Sequence, residues 1–149
     1  MARTRGLTVQ VKNADEVVEW FNEIKTKALN ETKDHVNKTA LEVQNRAKKN
    51  APVDDGDLRA SIVIEPFMSG FSIDVGSRLF YAPYVEYGTG IHAEHPSIPG
   101  RSTPWVFKHP KTGDFVYTRG FMAQPFLLPA YKSVEGDFVR GIERIFKNL

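Results

Sequence analysis

Apolar residues recur at helical spacing through the first third of the chain. Between Asp15 and Leu29 they follow steps of three and four, with Asp15 as a candidate cap. From about Glu31 to Asn50 a second stripe has steps of four, three and four: Val36, Ala40, Val43 and Ala47. The last turn is basic, which suits the negative end of the helix dipole, and Pro52 ends the helix. The pattern predicts two helices, or one continuous helix, because no strong breaker lies between them.

An alternating pattern follows this helical region. Leu58, Ala60, Ile62 and Ile64 alternate with their neighbours and predict a strand with one buried face. After a loop from Pro66 to Gly70, the alternation of Phe71, Ile73 and Val75 predicts a second strand, antiparallel to the first. A short helical turn would then place Tyr81, Tyr84 and Tyr87 on one edge.

Residues 90–120 have a different character. Two short apolar runs, Trp105–Phe107 and Phe115–Tyr117, flank a polar turn in a segment with four prolines. This predicts a hairpin arm, and long insertions of this kind usually carry function. We expect the arm to be mobile in the isolated subunit.

The end of the chain predicts another helix. Pro125 or Pro129 would open it, and apolar positions keep helical spacing from Leu128 to Ile145. The whole pattern predicts a single α+β domain over residues 1–149. An antiparallel sheet would pack on a long N-terminal helix and a C-terminal helix, with an extended hairpin arm.

Composition narrows the functional classes. The 149 residues include no cysteine, which excludes disulfides and thiol chemistry. No apolar run approaches the ~20 residues of a membrane span, and the first residues lack the apolar core of a signal peptide. The net charge of +2 is too small to indicate a nucleic-acid binder. Lysines concentrated in the N-terminal third predict a solvated helix face, or one turned toward DNA or an acidic neighbour.

Residues able to carry chemistry form no convincing catalytic set. Three aspartates surround Gly56 and predict a turn, because the glutamate that would close a calcium loop is missing: Asp54, Asp55 and Asp57. The best metal candidates lie in the loop and the arm, but a structural zinc site normally needs four ligands: His92, Glu94, His95 and His109. We expect no catalytic residue, no metal and no cofactor.

The same residues that fail as catalysts suit a contact surface. Arg59 falls on the polar side of the first predicted strand, where it could pair with Glu86 or with an acidic group on a neighbouring subunit. The tyrosine edge would line either a core boundary or an interface, because tyrosine offers large contact area at low entropic cost. The expected interface residues are Arg59, Tyr81, Tyr84, Glu86, Tyr87, Trp105, Phe107, Phe115 and Tyr117.

Three motifs together resemble a known family. They are Ala-Pro-Val-Asp-Asp-Gly-Asp-Leu-Arg-Ala-Ser-Ile at 51–62, Tyr-Ala-Pro-Tyr-Val-Glu-Tyr-Gly-Thr-Gly at 81–90, and Gln-Pro-Phe-Leu-Leu-Pro-Ala at 124–130. In this order they resemble the neck or head–tail joining proteins of tailed bacteriophages, the gene-product-ten-like family of lambdoid phages. The resemblance runs from about Leu41 to Tyr131. Asp55 stands where the family pattern usually has threonine, and aspartate also suits a turn.

The resemblance implies a structural virion protein of the phage neck, assembled in the host cytoplasm. It implies a ring of six or twelve copies around the DNA channel, which joins head to tail. Its partners would be the head-closure (stopper) protein and tail-terminator or tail-tube proteins, with non-specific DNA contact in the channel. The alternatives are a tail-terminator or tail-completion ring, a DNA-contacting accessory protein, and a phage enzyme.

Overall fold

The computed structural model describes residues 13–54, 56–96, 98, 100–109 and 112–149. Its elements are α1 (Ala14–Asn50), α2 (Asp57–Ser61), β1 (Ile62–Phe67), β2 (Ser72–Ser77), α3 (Ala82–Tyr87), β3 (Trp105–Lys108), β4 (Phe115–Thr118) and α4 (Leu127–Lys147). Short 3-10 turns occur at Met68–Gly70 and Gly90–His92. The α+β class is confirmed, with the strands arranged as two separate two-stranded antiparallel sheets.

Helix α1 is continuous, so the prediction of two helices is wrong and its one-helix alternative is confirmed. Its 37 residues span about 55 Å, whereas the 21 residues of α4 span about 32 Å. The two helices run antiparallel: Asn50 lies beside Phe126, and the His35 ring donates through Nε2 to the Phe138 carbonyl at 3.0 Å. The first turns of α1 therefore extend past the end of α4.

The first strand begins later than the alternation predicted. Residues Asp57–Ser61 form the short helix α2, and β1 starts at Ile62. Gly56 has a φ of 91°, and the Ala60 N–H bonds its carbonyl at 2.9 Å, which closes the helical turn. Leu58 and Ile62 are four residues apart, so one turn of helix buries both, while Ala60 is exposed.

The antiparallel pairing of β1 with β2 is confirmed, in a register that pairs Ile62 with Ser77 and Phe67 with Ser72. Pro66, expected in the connecting loop, belongs to β1, and the turn is confined to Met68–Gly70. Proline fits there because a two-stranded sheet leaves every strand with a free edge.

The core lies where α1, α2, β1, α3 and α4 meet. Its buried residues are Val43, Ala47, Ala51, Leu58, Ile62, Ala82, Phe126, Ala130 and Val134. Alanines on facing positions of α1 and α4 allow the two helices to approach closely, and Phe126 fills the space at the start of α4. This core holds the three sequence motifs together.

Candidate functional site

Glu86, a buried residue of the second motif, binds the backbone of the third motif. Its carboxylate is 6% exposed and accepts three backbone N–H groups at the start of α4: Oε2 from Phe126 at 2.8 Å and Leu127 at 2.9 Å, and Oε1 from Leu128 at 2.8 Å. The next residue, Pro129, has no N–H. The N–H groups that a helix start leaves without partners are thus all accounted for, and the negative charge sits at the positive end of the helix dipole.

The structure corrects three expectations about these residues. Glu86 was expected at an interface, and pairing with it was one of two alternatives for Arg59, but Glu86 lies inside the subunit and its oxygens bond the backbone of α4. Arg59 lies on the exposed side of α2, not on a strand, and no ion pair joins these two described residues. Neither proline opens α4 either: the helix starts at Leu127, with Phe126 as its N-cap and Pro129 inside the first turn.

The tyrosine edge is only partly a surface. The expected helical turn is confirmed as α3, but Tyr81 packs against the core and Tyr87 lies 4.5 Å, ring centre to ring centre, from His95. Tyr84 is the exposed member. Two of the three tyrosines therefore contribute to the packing of the subunit.

The base of the arm is a close crossing of two backbone segments. Thr89 N–H bonds the Phe121 carbonyl at 2.9 Å, and Ile91 N–H bonds the Arg119 carbonyl at 3.0 Å. A Cβ atom on Gly90 would lie 2.0 Å from the Arg119 carbonyl oxygen, and Gly90 has a φ of 62°. Only glycine fits such an approach, so the crossing fixes where the arm leaves the body.

The expected hairpin is confirmed, but its aromatic residues do not share one face. The register pairs Val106 with Tyr117 and Lys108 with Phe115. Residues directly opposite point to the same side, so Trp105 and Phe107 face the other way. They are half-buried, near Arg101 and Phe121 respectively. We call the exposed side the outer face of the arm: Val106, Lys108, Phe115 and Tyr117, with Phe115 78% and Tyr117 66% exposed.

A second apolar surface was missed by the sequence reasoning. The part of α1 that extends past α4 exposes a cluster that we call the projecting stripe: Val17, Val18, Trp20 and Phe21. The sequence pattern assigned these residues to a helix but not to a surface. The signal was available in the helix lengths, because a helix of about 20 residues cannot cover a stripe that runs the length of a 37-residue helix.

The described side chains considered as metal ligands are not brought together into one site. Within the described ranges, no group of three or more His, Asp or Glu side chains is placed to hold a metal ion. His109 Nδ1 accepts the Thr112 N–H at 3.3 Å in the arm turn, while His95 contacts Tyr87 near the body. Asp55 lies outside the described residues. No described helix is both long and apolar enough to cross a membrane.

No curated protein and no solved structure matches the chain significantly. Residues 15–88 match the family described as "Bacteriophage HK97-gp10, putative tail-component". The match covers α1, the β1–β2 hairpin and α3, and it ends where the arm begins. The match confirms the resemblance for the first motif and for the second up to Gly88, whereas the third motif lies beyond it; over this segment, just under half of the chain, the protein resembles the gp10-like family of bacteriophage tail components.

Proposed function

We propose that this protein is a structural component of the phage neck, where copies form a ring around the DNA channel and join head to tail. The observation that carries the proposal is the apolar surface kept outside the core, on the projecting stripe and on the outer face of the arm. Clusters of exposed large apolar residues mark protein-interaction sites in soluble proteins. The match of residues 15–88 to a family of tail components supplies the setting in which such contacts are made.

In this proposal the mechanism is assembly, not catalysis. The body holds the base of the arm through the glycine crossing, while the hairpin beyond it carries its aromatic residues into contact with neighbours. Phe115 and Tyr117 are suitable anchors because aromatic side chains bury a large area on association. An anchor of this kind typically contributes ~2 kcal/mol or more to binding.

A ring at the end of the tail is the second candidate, as a tail terminator or tail-completion protein. The family description favours this position, because it names a tail component. Both candidates use the same surfaces and differ only in which structure receives the ring first. The head-closure protein would be the first partner in one case, and the tail-tube or tail-terminator proteins in the other.

The test is a phage that carries Tyr117→Ala, with Val43→Asp as a control that disrupts the core. We expect purified Tyr117→Ala protein to melt within about 0.5 kcal/mol of wild type, as surface changes usually do. The lysate should contain full heads and separate tails. Gold-labelled antibody against this protein, seen on heads or on tails, decides between the two positions. Joined, infectious particles at the wild-type yield would refute the role of the arm.

Contact with DNA in the channel is an additional part of the proposal. The lysines of α1 are the candidate surface, although Lys27 and Arg46 are each engaged with a glutamate one turn away. Such contact would be non-specific and would weaken steeply with salt. Binding of duplex DNA to the assembled ring, titrated between 50 mM and 200 mM salt, tests it.

A further inference from the structure

A groove of about 760 Å³ lies between β2 and α4. Its floor is the middle of α1, from Val36 to Val43, and one wall is formed by Leu128, Tyr131 and Glu135 of α4. The other wall is the strand β2, all of whose residues, together with Phe71 and Arg78, line the groove. Successive strand residues point to opposite faces, so a groove lined by all of them follows the length of β2, and Val63 and Glu65 of β1 extend it over one face of the strand pair.

The edge of β2 away from β1 is open within the described parts of the chain. The sheet contains β1 and β2 alone, so the backbone groups of β2 that point away from β1 have no partner strand among the described residues. An open edge is a template for one more strand, and peptide recognition by strand addition uses such an edge beside an apolar pocket. The groove therefore suits an extended segment with apolar side chains.

The charges at the groove specify the occupant further. Four of its five charged lining residues are acidic: Glu65, Asp74, Glu86 and Glu135, against Arg78. Glu86 is committed to the start of α4, but Glu65 and Asp74 stand directly opposite each other across the strand pair. A like-charge pair in that position is unfavourable, and Arg78 offsets it only by pairing with Glu65. A basic segment would be attracted to this groove.

The arm has the complementary properties. Residues 90–120 carry four basic residues and two acidic: Arg101, Lys108, Lys111 and Arg119, against Glu94 and Asp114. Its outer face presents Val106, Phe115 and Tyr117 beside Lys108. The strands β3 and β4 also form a two-stranded sheet with free edges. None of the described arm residues lines the groove of its own subunit.

We infer that the groove between β2 and α4 is the receptor for the arm of a second copy of this chain. This inference rests on the proposed ring and names the contact that builds it. Arm and groove are different surfaces, so the contact is head-to-tail, and each copy can give its arm to one neighbour and receive an arm from the other. Head-to-tail contacts generate rings when the rotation between copies closes.

Photo-crosslinking tests the contact directly. A chain with benzoylphenylalanine in place of Tyr117 is mixed with nitrogen-15-labelled wild-type chain, irradiated and digested. We expect cross-linked peptides that join the light arm to heavy segments 71–78 or 127–138. The matched control places the same probe at Trp105, on the other side of the same strand pair, and should lose most of this product. Links confined to one chain, or directed to the projecting stripe, would overturn the inference.

Mixing two assembly-deficient variants tests the head-to-tail geometry. The arm variant is Phe115→Ser with Tyr117→Ser, and the groove variant is Asp74→Lys with Glu135→Lys, all at exposed positions. Each variant alone should lose at least tenfold in association, with an unchanged melting temperature. A mixture should form one-to-one dimers and nothing larger, because one chain retains only its groove and the other only its arm. Light scattering and native mass spectrometry measure these species.

The outcomes separate this inference from the proposed function. If wild type and both variants all form rings, the arm–groove contact is wrong and the ring proposal stands. If the two variants fail alone and also fail to form dimers together, they do not share one interface, and the inference is again wrong. If wild-type chain stays monomeric at high concentration and on isolated tails, the proposed ring fails, and the arm–groove contact fails with it.

Discussion

Replacing Glu86 with glutamine tests the central structural link in this protein. The glutamine side chain has nearly the same shape but carries no charge and has one carbonyl oxygen instead of two. If that oxygen takes the place of Oε2, it still accepts from Phe126 and Leu127. The amide NH2 group then faces the Leu128 N–H, which loses its acceptor.

The expected loss of unfolding free energy follows from the hydrogen bond and the negative charge that the substitution removes. A hydrogen bond to a charged group contributes about 1.5–3 kcal/mol, and the charge at the helix N-terminus adds about 0.3–1 kcal/mol. The expected loss of unfolding free energy is therefore about 2–4 kcal/mol. For a chain of this size, 1 kcal/mol corresponds to about 2–4 °C in melting temperature. A loss near 3 kcal/mol should lower it by about 6–12 °C.

Thermal melting followed by circular dichroism, together with urea unfolding, measures this loss. Glu94→Gln is the matched control, because Glu94 is an exposed carboxylate in the loop that follows α3. It should leave the melting temperature nearly unchanged. If Glu86→Gln melts with the control and the wild type, the carboxylate does not anchor α4, and the assignment of Glu86 to the scaffold would have to be abandoned.

Three further predictions concern the helix pair and the arm. Gly141→Ala should lower stability by about 1–3 kcal/mol despite the better helix propensity of alanine, because its Cβ would lie 2.2 Å from the His35 ring. In the control Gly136→Ala, on the same helix, the new Cβ meets only the end of a flexible arginine side chain, and the protein should gain about 0.5–1 kcal/mol of stability. Equal effects of the two substitutions in urea unfolding would contradict the packing of Gly141 against His35. Gly90→Ala should cost more than about 1 kcal/mol in the same assay, because its Cβ would meet the backbone of the crossing segment, and a neutral result would show that the crossing is absent. Hydrogen exchange in dilute monomer should be faster at Trp105–Phe107 than in the middle of α1, and strong protection of the arm would contradict its expected mobility.

Hydrophobic periodicity predicted the elements well where each element packs on one side. The helices, the β1–β2 hairpin and the arm hairpin all follow from it. It failed at Leu58, because the spacing from Leu58 to Ile62 satisfies a helical turn as well as a strand. The chain forms the helical turn and not the strand at this point, because Gly56 in the left-handed conformation begins a helical turn ahead of β1.

The exposed apolar surfaces were harder to predict than the fold. Whether a side chain is exposed depends on how far the neighbouring helices and strands extend beside it. The sequence indicated that Trp105, Phe107, Phe115 and Tyr117 belong to a hairpin, but their faces depend on the register of that hairpin. A shift of one residue would exchange the two sides. Glu86 was misassigned for a related reason: its partners are backbone N–H groups 40 residues away, which leave no trace in side-chain chemistry.

The three motifs have a common physical role that differs from the one their tyrosines suggested. Leu58 and Ile62 of the first motif lie in the core with Phe126 of the third, and Glu86 of the second binds the N–H groups that begin α4. The second motif then continues into the crossing at Gly90, which fixes the base of the arm. The motifs thus build the scaffold, and the exposed apolar residues lie beside them, on the arm and on the projecting stripe. Because the described residues on the outer face of the arm are exposed, that face can change with little effect on the core. A protein built in this way can keep its fold while its exposed apolar surfaces are altered, a property that suits the assembly role proposed above.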